Sequence, residues 1–111
     1  MSRDKSIKLQ ELFTLKNKNV LIIGGAGYLG TPMTETFAEL KANVILASRN
    51  EIKSLKVIKK IQKNYKNKNI YFIKTDITDE NSLKILKKKV SKKFNRGLDV
   101  LVNCGWSGNK N

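Results

Sequence analysis

The stretch best equipped for chemistry is Ile23-Gly24-Gly25-Ala26-Gly27-Tyr28-Leu29-Gly30. Within it, Gly25, Gly27 and Gly30 satisfy the spacing G-x-G-x-x-G directly after the apolar run Val20-Leu21-Ile22-Ile23. Each glycine in such a loop has its own task. The first permits a tight turn out of a strand, the second lets bare backbone approach a pyrophosphate, and the third lets helix and strand pack closely. A helix that starts here would aim unpaired N–H groups at an anion. No Gly-Lys-Ser/Thr follows, which excludes a Walker A loop. The competing reading is a glycine-rich turn with no ligand, but the buried strand before the loop and the amphipathic pattern after it favour a dinucleotide site.

A second constellation is Ala47-Ser48-Arg49-Asn50, at the tip of the next apolar run. In a dinucleotide-binding unit, a carboxylate at this place holds the ribose 2′-hydroxyl, whereas a cation tolerates a 2′-phosphate. No acid occurs between Asn43 and Asn50. Ser48 and Arg49 therefore favour NADP(H), with NAD(H) as the alternative. The plain reading of Arg49 is one more solvated cation.

These residues need elements to position them. Val20–Ile23, Val44–Ala47, Ile70–Ile73 and Leu98–Val102 read as buried strands, because each is a short apolar run bounded by turn residues. Between them lie three amphipathic helical patterns. The first runs from Tyr28 to about Leu40, with Leu29, Met33, Phe37 and Leu40 on its apolar face and Pro32 expected to cause a local distortion only. The second is capped by Asn50 and carries Ile52, Leu55, Ile58, Ile61 and Tyr65 inward, with Lys53, Lys56, Lys60 and Lys63 outward. The third is capped by Thr78 or Asp79, with Leu83, Leu86, Val90 and Phe94 inward, and closes at Arg96-Gly97. Strands alternating with helices through short connections imply right-handed crossovers and an α/β, Rossmann-like doubly wound parallel sheet of order 3-2-1-4. The expected organisation is an N-terminal arm over 1–18, the nucleotide-binding domain over 19–103 and a polar tail over 104–111.

Composition narrows the function classes. A chain of 111 residues has room for one core, and 40% hydrophobic with 29% charged residues is an ordinary globular balance. The single cysteine, Cys104, and the absence of histidine leave neither an internal disulfide nor a metal site to expect; Cys104 reads as a small packed hydrophobe. No run approaches the length of a membrane span and no secretory signal core precedes the domain, so a cytoplasmic protein is expected. The net charge of +14 raises the question of nucleic acid, yet its cations are almost all Lys mixed with Asn and Ile, with Arg only at 3, 49 and 96. Arg supplies the bidentate phosphate and guanine contacts, so its scarcity argues for a solvated lysine coat and against nucleic acid.

Taken with Thr75-Asp76-Ile77-Thr78 and Leu98-Asp99-Val100-Leu101-Val102-Asn103, the chain resembles the short-chain dehydrogenase/reductase family from about Leu12 to Asn103. The resemblance implies that Gly24, Gly25, Gly27, Tyr28, Leu29 and Gly30 surround the pyrophosphate, that Asp76 and Ile77 border the adenine, and that Asn103 lies under the coenzyme. It also implies hydride transfer between NADP(H) and a carbonyl or hydroxyl carbon of a small-molecule substrate. The loop suits nucleotide-sugar epimerases and dehydratases of the extended branch at least as well. Three departures stand out: Ile23 replaces a usual Thr, Asn103-Cys104-Gly105-Trp106 replaces Asn-Asn-Ala-Gly, and the chain is about half the family's length. The family's catalytic Tyr-x-x-x-Lys is absent, since Tyr28, Tyr65 and Tyr71 are followed four residues on by Pro32, Asn69 and Thr75. Hence no catalytic residue is assigned, and strand four, apolar on both faces, reads as a truncated edge. A non-catalytic nucleotide-binding module that pairs with a second copy through that strand is the non-enzyme alternative.

Overall fold

The computed structural model describes residues 12–24, 26–27 and 29–105. Among them run β1 (Asn19–Ile23), α1 (Gly30–Glu39), β2 (Asn43–Ser48), α2 (Glu51–Tyr65), β3 (Ile70–Lys74), α3 (Glu80–Lys93) and β4 (Val100–Asn103). The strands form one parallel sheet in the order β3-β2-β1-β4. This is the Rossmann-like arrangement expected from the alternation of apolar runs and helical patterns. Residues 1–11 of the expected arm, and Trp106 with the rest of the tail, lie outside the described residues.

Each sheet face has its own core. Val20, Ile22, Val44, Leu46 and Ile70 face α1 and α2, where they meet Ala38, Ile58 and Ile61. Leu21, Ile45 and Ala47 face α3, where they meet Leu86, Val90 and Phe94. The period of two along β1 and β2 thus sends alternate residues into two cores, which is why both strands read as continuously apolar. The lysine-rich outer faces of α2 and α3 consequently lie on opposite sides of the sheet.

In two helices the expected inward set holds only in part. In α1 the expected Phe37 packs against the core, but the fully buried residues are Gly30, Thr34 and Ala38, while Leu29 is 66% and Met33 37% exposed. Small side chains let this helix approach the sheet closely, and the Thr34 hydroxyl is accommodated by donating to the Gly30 carbonyl at 2.8 Å. In α2 the expected Ile58 and Ile61 are buried and Tyr65 packs against the same core, with Ser54 beside them, whereas Ile52 is 73% and Leu55 47% exposed. The inward set of α3 holds at Leu86, Val90 and Phe94 but not at Leu83, which is 38% exposed. Pro32 falls within the first turn of α1, where backbone N–H groups lack intrahelical partners, and the helix continues through it.

Capping follows sequence chemistry. Asn50 Oδ1 accepts from Lys53 N at 2.9 Å to begin α2, and Asp79 Oδ1 accepts from Asn81 N at 2.9 Å to begin α3. Buried Asn67 ties the end of α1 to the approach of β3: its Nδ2 donates to the Ala38 and Ala42 carbonyls at 3.1 and 2.9 Å, and its Oδ1 accepts from Asn69 N at 2.8 Å. The fourth strand starts two residues later than its apolar run, leaving Leu98 outside it, and Leu101 is 59% exposed. Among the described residues no helix is long and apolar enough to cross a membrane, and no group of three potential metal ligands occurs.

Candidate coenzyme site

Parallel register brings four chain segments to one end of the sheet. Ile23 pairs with Ala47 and with Asn103, and Ser48 pairs with Lys74. The residues just beyond these strand ends therefore converge: Gly24, Arg49, Thr75 and Cys104. Backbone bonds stitch them together, with Gly24 N donating to Ala47 O at 2.6 Å, Cys104 N to Ile23 O at 2.8 Å and Thr75 N to Ser48 O at 2.8 Å.

Gly24 is the pivot of this end. Its φ of +79° is a left-handed conformation, and a Cβ there would sit 2.7 Å from Gly105 N and 2.8 Å from the Cys104 carbonyl carbon. Both atoms are backbone and have no rotamer by which to retreat, so only glycine fits. The chain then folds back through Gly27 N, which donates to Gly24 O at 3.1 Å, and enters α1 with Thr31 N donating to Gly27 O at 3.0 Å. A Cβ at Gly27 would lie 3.3 Å from Gly24 O. No side chain caps the start of α1, in contrast to α2 and α3.

The loop opens onto a cavity of about 540 Å³. Its walls include Ile23, Gly24, Ala26, Gly27 and Leu29 from the loop, Ser48 to Asn50 and Lys53 from the second βα connection, Thr75, Ile77 and Thr78 from the third, and Cys104 and Gly105 from the end of β4. Of the residues expected from sequence, Gly24, Gly27, Leu29, Ser48, Arg49 and Ile77 come together here. Gly30 is buried as the first residue of α1 and does not line the cavity. Gly25 and Tyr28 lie outside the described residues. Asp76 and Asn103 are neighbours of the site and not part of its wall. The Asp76 Oδ1 accepts from Thr78 Oγ1 at 2.6 Å and Thr78 N at 2.9 Å, and Asn103 Oδ1 accepts from Gly105 N at 3.0 Å. The hydroxyl and then the amide of Thr78 hold the Asp76 carboxyl below the usual carboxylate range, against the opposing effect of partial burial, and the Arg49 charge lowers it further.

Sequence reasoning missed Asn50, Lys53, Thr75 and Thr78 as wall residues. Asn50 carried a visible signal as a helix cap, and a residue three positions into a capped helix at a strand tip follows from it. Cys104 and Gly105, grouped with the tail on sequence, also line the cavity; Cys104 is half-buried and free.

This chemistry fits a dinucleotide with an anionic pyrophosphate. The cavity lies within the ~300–1,000 Å³ typical of small-molecule sites. Main chain lacking side chains forms its floor, an aliphatic wall comes from Leu29 and Ile77, and cations and hydroxyls come from Arg49, Lys53, Ser48 and Thr78. The family profile described as short chain dehydrogenase matches residues 18–110. The chain belongs to that family. This short-chain dehydrogenase sequence is 33% identical over 90 residues to 3-hydroxyacyl-CoA dehydrogenase type-2 of Drosophila melanogaster, an alignment that spans 81% of this chain and 33% of that protein. Its fold is that of L-sorbose reductase from Gluconobacter frateurii, solved with NADPH and L-sorbose, with a TM-score of 0.79 at 19% identity over 89% of this chain and 37% of the other. A Haemophilus influenza protein described as a D-mannonate oxidoreductase, solved with bound NAD, superposes with a TM-score of 0.76 at 25% identity, covering 93% of this chain and 36% of that one. The chain thus spans about a third of the length of the relatives it matches.

Proposed function

We propose that this chain is the coenzyme-binding portion of an NAD(P)-dependent oxidoreductase that transfers hydride between NADP(H) and a carbonyl or hydroxyl carbon of a small molecule. The binding domain is the span 19–103, preceded by an arm over 1–18 and followed by a tail over 104–111. The observation that carries this reading is the meeting, in one cavity, of the side-chain-free Gly24 and Gly27 backbone with Ser48 and Arg49 at the tip of β2. The relatives solved with NADPH and with NAD support a nicotinamide dinucleotide as the ligand class.

The chain's own residues bind and orient. The loop over Gly24–Gly30 takes the pyrophosphate, with bare backbone at Gly24 and Gly27. Leu29 and Ile77 supply apolar wall, and Ile77 borders the adenine with Asp76 behind it. Arg49 and Ser48 take the ribose end, where the guanidinium favours a 2′-phosphate over a hydroxyl. Asn103 fixes the turn after β4 through its bond with Gly105 N and so shapes the end of the site from below. The coenzyme, when bound, supplies the hydride donor or acceptor. No tyrosine of this chain has a lysine four residues on to lower its pKa, so proton exchange with a substrate is not assigned to any residue here, and the 111-residue chain alone is expected to bind without turnover.

Calorimetric titration with NADPH and NADH, for the parent and for Arg49→Gln, tests this. The expected result is tighter binding of NADPH by the parent and a loss of about tenfold for NADPH in the variant, equivalent to ~1.4 kcal/mol, with little change for NADH. A folded parent that binds neither coenzyme overturns the reading.

A further inference from the structure

Both α2 and α3 are rich in lysine, but their outer faces are not alike. In α2 the residues turned to the core, Ser54, Ile58, Ile61 and Tyr65, recur at i, i+4, i+7 and i+11. Ile52, Lys56, Lys59 and Lys63 repeat that spacing two residues earlier, which puts them on the opposite, exposed side of the helix. Leu55 stands beside this row, one turn from Ile52 and one from Lys59, and is exposed as well. The outer face thus begins with two aliphatic side chains and continues as lysine. Five lysines of α2 stand against one acid, Glu51, and among the described residues none of the five has an ion pair within 4.0 Å. The carboxylates of α1 meet the inner row: Glu35 accepts from Tyr65 Oη at 3.5 Å, and Glu39 acts on the same phenol. In α3 the exposed aliphatics, Leu83 and Ile85, are two residues apart and so point to different flanks, and Lys84 lies 3.9 Å from Glu80.

We infer that the outer face of α2 docks the protein on an anionic phospholipid membrane. Ile52 and Leu55 enter the boundary between headgroups and acyl chains, and Lys56, Lys59 and Lys63 meet the anionic headgroups. Peripheral binding of this kind needs no spanning helix, but it does need two signals, because a shallow apolar contact or a few lysines alone hold only weakly. This face supplies both. Exposed aliphatic side chains gain by leaving water for an acyl boundary and gain nothing from a sugar-phosphate backbone, so their place beside the lysines favours lipid over nucleic acid. None of the five residues lines the coenzyme cavity, so lipid and coenzyme bind independently.

The test is co-sedimentation of the full chain with vesicles of equimolar phosphatidylcholine and phosphatidylserine, and with vesicles of phosphatidylcholine alone. Binding to the mixed vesicles only is expected, falling as salt is raised. Three variants divide the contributions. Lys56→Gln/Lys59→Gln/Lys63→Gln is expected to weaken partitioning about a hundredfold, and Ile52→Ser/Leu55→Ser about tenfold. Lys84→Gln/Lys88→Gln/Lys92→Gln removes the same charge from α3, on the other side of the sheet, and is expected to cost less than about threefold. Every substituted position is exposed, so all three variants keep the parent circular dichroism. No binding of the folded parent to mixed vesicles overturns the proposal. Equal losses for the two lysine variants overturn it too, since they mark a diffuse charge effect, as does an aliphatic variant that binds like the parent. Tighter binding to a mixed-sequence DNA duplex than to these vesicles, lost in the α2 lysine variant and kept in the aliphatic one, assigns the face to nucleic acid and overturns it likewise.

Discussion

The two ends of the sheet each carry a cavity of similar size, about 540 Å³ beyond the carboxyl ends of the strands and about 510 Å³ beyond the amino ends, yet their chemistry differs. At the amino end the polar groups satisfy one another. Asn19 N donates to Asp99 Oδ2 at 2.8 Å, Asn19 Nδ2 donates to Gly97 O at 2.8 Å, Asn43 Nδ2 donates to Asn19 Oδ1 at 3.1 Å, and Lys93 Nζ sits 3.7 Å above the Tyr71 ring. At the carboxyl end the backbone bonds close the turns and leave the side-chain-free main chain of Gly24 and Gly27 along the cavity, whereas no glycine lines the amino-end cavity; the lining cations of both ends are free of ion pairs among the described residues. Volume does not separate the two cavities. What separates them is the bare glycine main chain at the carboxyl end against the interlocked asparagine and aspartate bonds at the amino end, and this favours the carboxyl end as the candidate binding site.

Substitutions at the two ends sharpen that contrast. The largest effect is expected at Gly24→Ala, where a methyl group meets the Gly105 backbone at 2.7 Å and the residue must also hold a positive φ. Strain and overpacking together are expected to destabilise the domain by about 2–4 kcal/mol, measured by urea denaturation, and to abolish coenzyme binding. Next is Asn19→Ala at the amino end, which removes the side-chain links to Gly97 and Asn43. A loss of about 1–2 kcal/mol is expected in the same assay, with NADPH affinity within about twofold of the parent. An equal fall in affinity would break the assignment of roles to the two ends. Ser48→Ala is expected to weaken NADPH about threefold in calorimetry, through one hydroxyl at the ribose end.

The smallest effect concerns acid. Because Thr78 and Arg49 hold the Asp76 carboxyl below its ordinary value of 3.8, its ionised form is favoured in the folded state. The stability this contributes is fully present above pH 3.8 and is lost as pH falls through the lower, folded value. Asp76→Asn is expected to flatten the acid limb of a stability-against-pH curve and leave stability changes between pH 5 and 8 unaltered. An unchanged acid limb would remove the Asp76–Thr78 turn from the account.

Much of this was legible in residue types. Apolar runs at Val20–Ile23, Val44–Ala47 and Ile70–Ile73 fell within strands, the rhythm of the elements matched the order 3-2-1-4, and Asn50 and Asp79 acted as caps. The buried face of a helix was legible only in part. A period of 3.6 marks a helix without saying which flank meets the sheet, and in α1 the small side chains of Gly30, Thr34 and Ala38 approach the sheet while the larger Leu29 and Met33 turn outward. In the site, Arg49 was readable because the tip of the second strand points to it, and Gly24 and Ile77 through the resemblance to the family. Gly105 was not, since its role depends on a close approach between chain segments that are adjacent only through strand register.

The most direct test is amide-resolved NMR of the full chain titrated with NADPH. The account predicts shift changes at Gly24, Gly27, Ser48, Arg49, Asn50, Lys53 and Thr78, with Asn17, Lys18, Asn19, Asn95 and Arg96 unmoved. Changes concentrated at the second group, or none anywhere in a folded protein, would contradict it.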